Sequence, residues 1–217
     1  MHEIHFSGVE QDRRQYWKEA IEKCLSTLPE SEKQYVPPVY IYNTVVQALS
    51  CTFDPHHPFL DKLIDKFSKN RIWTFCFLAD EELRNPRILS DEFQRIIICN
   101  NRIEIMYDVC PERSFFHEVY HFVDLLGNRR KYTEETKDQV EEDCEIYATM
   151  AYIRLLLMNP TYETCAYASN IREFETAIRK KLTSPLSLAD ATEKAERIRD
   201  EHLIPNAKNS AQKTTIT

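Results

Sequence analysis

The stretch "SFFHEVYHFVDLLG", Ser114 to Gly127, holds the residues best suited to chemistry. His117 and His121 stand four apart, and Glu118 directly follows the first. On a helix, positions four apart share a face, so both imidazoles can reach one ion. Glu118 is turned by roughly 100° from His117. It would therefore flank the ion, within reach of a water on the metal, where a general base works. Phe115, Val119, Phe122 and Leu126 gather on the other side and are expected to pack against a sheet. Asp124, three after His121, is expected to hold a ligand imidazole in one tautomer through the ring nitrogen left free. The plain alternative is a surface helix with two solvated histidines.

A catalytic zinc site takes three protein ligands and keeps one position open. The class that continues H-E-x-x-H-x-x-G-x-x-H is excluded, because Asp124 and Gly127 occupy the glycine and third-histidine positions. The third donor is then expected from a later helix, and "QVEEDCEIYATMAYIRLLLMNP" offers Glu141, Glu142 and Glu145. Val140, Cys144, Tyr147, Ala148, Ala151 and Leu155 define its buried face. Glu141 lies about 60° from the centre of that face, while Glu142 points nearly the opposite way. Glu141 is thus the expected ligand, against the alternative of a rim carboxylate. Ala148 on the same stripe permits close helix approach. Glu145, four after Glu141, is placed to accept a hydrogen bond from a ligand imidazole.

These residues resemble the Glu-zincin pattern of thermolysin-like zinc peptidases, and more closely the ImmA/IrrE-type metallopeptidases. The latter carry a helix reading roughly E-x-x-A-N-x-F-A-x-x-L-L-M-P. Here Glu141 stands at the ligand position, Cys144 at the small residue, Glu145 at the asparagine, Tyr147 at the aromatic and Ala148 at the alanine. "HEVYHFVD" is also similar to the HExxHxxD run of toxin-type peptidases of the same broad class. The resemblance covers Ser114 to Pro160. It implies Zn²⁺ on His117, His121 and Glu141, with Glu118 as general base in hydrolysis of a peptide bond by a metal-activated water. A specific protein or peptide would be the substrate. The alternatives are a toxin- or effector-type protease acting on a foreign host protein, and an interaction module that keeps the zincin fold without turnover. For the oxyanion, Tyr152, Tyr162 and Tyr167 are all available.

The elements that must position these residues read as α+β, a small mixed or antiparallel sheet packed on helices. The expected order is a helix in "VEQDRRQYWKEAIEKCLSTLP", a strand in "PPVYIYN", an ambiguous "TVVQALSC", a short helix in "FLDKLIDKFSKN" and a strand in "RIWTFCFLAD". A hairpin in "QRIIICNNRIEIMYDV" would turn at Asn100-Asn101, and Ile103–Tyr107 could pair an extended substrate. The motif helix is expected from Ser114 to a stop at Gly127, followed by a polar loop. Helices at about Gln139–Met158, Tyr162–Lys181 and Leu188–His202 complete a single zincin-like domain over residues 1–204, with a disordered tail over 205–217.

Composition narrows the classes. The chain has 217 residues, enough for one compact domain. Two glycines argue against phosphate-cradling loops, and a formal charge of -7 argues against nucleic acid as a partner. No run approaches the roughly 20 apolar residues of a membrane span, and no Sec-type signal is visible. A cytoplasmic setting is expected, and secretion as an effector by another route stays open. Seven cysteines, none in CxxC spacing, fit a reducing compartment and the role of small core residues. His2, His5, His56, His57 and His202 read as surface residues.

Overall fold

The computed structural model describes residues 2–56, 58–69, 74–77, 95–100, 110–130, 133, 135–165, 169–180 and 182–200. The fold is α+β; among the described residues a four-stranded mixed sheet packs on helices. The strands are β1 (Ile4–Ser7), β2 (Val39–Tyr42), β3 (Thr74–Phe77) and β4 (Arg95–Cys99). Their spatial order is β1-β2-β4-β3. β1, β2 and β4 run parallel, with Val39 opposite Ile4 and Ile96, and β3 runs antiparallel to β4, with Cys76 opposite Ile96.

β4 is buried along its whole length, as suits a β-branched run at the centre of a sheet covered on both faces. Arg95 is buried with it and stacks its guanidinium 4.7 Å from the Tyr40 ring. In β3, alternation sends Thr74 and Cys76 to one face and Phe75 to the other. Phe75 meets the Phe67 ring edge-on at 5.0 Å. Phe67 belongs to α4 (Leu60–Lys69), which follows α1 (Gln11–Ser26), α2 (Glu30–Lys33) and α3 (Val45–Thr52). The ambiguous "TVVQALSC" is helical because the Thr44 hydroxyl caps it, accepting from the Gln47 N–H at 3.0 Å.

The motif helix, α5, spans Pro111–Phe122. It begins at a proline instead of Ser114: proline fits the first turn, where an N–H has no helical partner. Phe115, Val119 and Phe122 are buried, as the apolar back requires. Leu126 is exposed, because Val123–Gly127 continue as a π-helical turn that shifts the phase. Gly127 ends that turn without a positive φ. A Cβ there would stand 3.0 Å from the Tyr35 ring, so close approach is the constraint. Arg129 takes the left-handed conformation instead, at φ 57°.

α6 (Lys137–Met158) packs along α5 through Cys144, Ala148 and Ala151, all buried. α7 (Ser169–Arg179) starts later than the expected Tyr162. α8 (Leu188–Ile198) seats Ala191 and Ala195 against Ile153 and Leu157 of α6. No helix among the described residues is long and apolar enough to cross a membrane. The turn at Asn101, the second run of the expected hairpin, Tyr167, His57, His202 and the 205–217 tail lie outside the described residues.

Candidate metal centre

One stripe of α5 faces one stripe of α6. Arg113, His117 and His121 follow each other at four-residue intervals on α5, and Glu141, Glu145 and Thr149 do so on α6. The rungs are direct. Glu141 Oε2 lies 3.1 Å from His117 Nε2, and its Oε1 lies 3.6 Å from His121 Nε2. Glu145 Oε1 lies 3.2 Å from His117 Nδ1. That is an ion-pair distance, although the oxygen stands off the line of a straight N–H···O bond. Arg113 donates from Nη2 to Glu145 Oε2 and from Nε to Thr149 Oγ1 at 3.1 Å.

Burial and charge then set the protonation states. Burial pulls His121 down to about 4, with Glu141 opposing and the neighbouring His117 adding to the effect. A neutral imidazole keeps a lone pair for a cation. Burial pulls on His117 too, but the Glu141 and Glu145 carboxylates outweigh it and hold the ring up to about 10. Glu145, beside His117 and paired with Arg113, sits lowered to about 2. Glu118 is only 6% exposed, and desolvation raises its pKa. Cys76 and Thr74 of β3 and the neighbouring His117 oppose that rise.

Each expected site residue therefore has a definite place. Glu141 reaches both imidazoles and is 44% exposed along its side chain, whereas Glu142 is exposed on α6. Glu145 stands against His117 Nδ1. Asp124 is buried near His121, but its carboxylate accepts from Arg130 Nε at 2.5 Å and Asn128 Nδ2 at 3.1 Å. Arg130 also donates to Asp143 of α6 at 2.7 Å, so Asp124 ties the π turn to α6. The group 3.4 Å from His121 Nδ1 is Cys144 Sγ.

Cys76 and Cys144, read from sequence as core thiols, belong to the centre. Donor atoms of His117, His121 and Cys144 lie within 4.8 Å of one another, as do those of Cys76, Glu118 and His121. Cys144 was within reach of the helical phase, one turn beyond Glu141 on the same side. Arg113 was too, one turn before His117. Nothing local signals Cys76, which arrives through sheet pairing. Two of the tyrosines considered for an oxyanion are engaged elsewhere: Tyr152 donates to Glu175, and Tyr162 donates to Glu112 at 3.0 Å.

These buried His, Cys and Glu groups could hold a metal ion. The donors fit a borderline cation, with a carboxylate beside two imidazole Nε2 atoms and thiols nearby. Comparison with known proteins gives no significant match among protein-family models, curated proteins or solved structures. The likeness to zinc peptidases rests on the motif residues alone.

Proposed function

We propose that the chain is a zinc-dependent endopeptidase of the Glu-zincin type, with His117, His121 and Glu141 as ligands and Glu118 as general base. The observation that supports this most is the position of Glu141. A carboxylate from a separate helix lies within 3.1 and 3.6 Å of the two motif imidazoles, while its neighbour Glu142 is exposed.

Zinc, when bound there, supplies Lewis acidity that lowers the pKa of water and polarises a carbonyl. The chain's own residues do the rest. Glu118 takes a proton from the attacking water at its carboxylate and returns it to the leaving amine. Its raised pKa brings it nearer the operating pH, where a base is most effective. Glu145 steadies His117 from the Nδ1 side, and Arg113 anchors Glu145. Glu141 would bring negative charge to the dication, and binding would displace the proton that Glu141 and Glu145 hold on His117.

The test is a comparison of new protein N-termini in cells carrying wild type or Glu118→Gln. Wild type should generate specific cleavages that Glu118→Gln lacks while retaining zinc; identical sets of termini sink the reading. A second reading is a metal-holding interaction module without turnover. It is favoured by the burial of Glu118 against Cys76 and Thr74, which turns the base toward the sheet.

A further inference from the structure

The sheet side of the centre carries sulfur. Donor atoms of Cys76, Glu118 and His121 lie within 4.8 Å of one another. Cys144 adds a second thiol, 3.4 Å from His121 Nδ1. On the α6 side, Glu141 offers His121 Nε2 a carboxylate instead. One imidazole thus stands between a carboxylate on one flank and thiols on the other. Carboxylates favour hard cations and thiolates favour soft ones, so the two flanks differ in the cation they attract.

We infer that the centre has a second, thiolate-ligated cation mode, in which Cys76 Sγ, a Glu118 carboxylate oxygen and a His121 ring nitrogen hold a thiophilic divalent cation such as Cd²⁺ or surplus Zn²⁺. As the sulfur–metal bond forms, the Cys76 S–H bond breaks and its proton passes to solvent; no electron is transferred. Three elements of the arrangement support it. Glu118 and His121 come from one helix, so their spacing is fixed. Cys76 comes from a strand whose register is set by pairing with Ile96. The Glu118 carboxylate is buried, and a cation beside it offsets the cost of its desolvation. With Glu118 engaged as a ligand it cannot accept a proton from water, so this mode silences hydrolysis. The binding stands on the side-chain cluster alone, whereas the silencing rests on the peptidase reading.

The full-length protein is titrated with Cd²⁺ while thiolate-to-metal charge-transfer absorption is followed in the ultraviolet. Wild type and Glu141→Ala should develop the band. Cys76→Ser should lose it and bind Cd²⁺ at least about 10-fold more weakly. Loss of the band in Cys144→Ser with retention in Cys76→Ser assigns the sulfur ligand to Cys144 and overturns the proposal. A wild type that binds zinc but develops no band with Cd²⁺ also overturns it, and leaves the peptidase reading standing. A band in a protein whose zinc-loaded form cleaves nothing supports the thiolate site and removes the peptidase reading. Should Cys76→Ser fail to fold, alkylation of the native protein decides. Cd²⁺ should protect Cys76 from iodoacetamide while exposed Cys51 labels at an unchanged rate; equal labelling of Cys76 with and without Cd²⁺ refutes the site.

Discussion

Two buried glutamates on α5, Glu112 and Glu118, have different partners. Glu112 faces neutral donors fixed by the fold: its Oε1 accepts from the Cys165 N–H at 2.8 Å and from the Tyr162 hydroxyl at 3.0 Å. Glu175 of α7 is held by the Tyr152 and Thr164 hydroxyls and by an ion pair with Arg179. Those carboxylates close the seam between α5, α6 and α7. Glu118 instead sits among groups that can exchange protons or ligate a cation: His117, His121, Cys76 and, across the helices, Glu141. Burial raises the pKa of both α5 glutamates. The partners decide whether a buried carboxylate holds the fold or is available for chemistry.

Exchanging each carboxylate for its amide or for alanine breaks this contrast if it is false. The largest expected effect is on turnover. Glu118→Gln should lower hydrolysis of a cleaved substrate by about 10²- to 10⁴-fold, the range for removing a general base, while the protein still folds and retains zinc. The next is on stability. Glu112→Ala leaves a buried N–H and a hydroxyl without their acceptor and should cost about 2–4 kcal/mol in urea denaturation. Glu112→Gln keeps an oxygen at the accepting position and should cost far less.

A smaller effect is on the pH dependence of stability. Because Glu112 has a raised pKa in the folded protein, the native state holds its proton where the unfolded chain has released it. Its contribution is fully present below the unfolded value and is lost as pH rises through the folded value. The stability of Glu112→Gln relative to wild type should therefore rise from acid toward neutral pH, as urea midpoints would register. A flat difference contradicts the assignment. The smallest expected effect is on orientation. Arg113→Ala should weaken zinc binding by about 10-fold through loss of the hold on Glu145, with Arg113→Lys intermediate. Calorimetric titration measures both.

Helical period made much of this centre legible. Positions 117 and 121 had to share a face, and the same arithmetic pointed Glu141 toward α5 and Glu142 away from it. Glu145 followed from the four-residue interval. The helical period did not foresee Arg130 and Asn128 as partners of Asp124, because the turn after Phe122 is π-helical and follows a different period. Cys76 was beyond reach, since only the pairing of β3 with β4 brings it to Glu118. β1 escaped notice because "IHFS" alternates too briefly to stand out. The parallel order of β1, β2 and β4 depends on pairings between distant segments, which local pattern does not encode.

The central claim is that Glu141, with the two motif histidines, holds one zinc ion. Zinc stoichiometry and affinity, measured side by side on wild type, Glu141→Ala and Glu142→Ala, test it most directly. The account predicts about one tightly held zinc in wild type and in Glu142→Ala, and affinity at least about 10-fold weaker in Glu141→Ala. Equal zinc affinity in wild type and Glu141→Ala would contradict it.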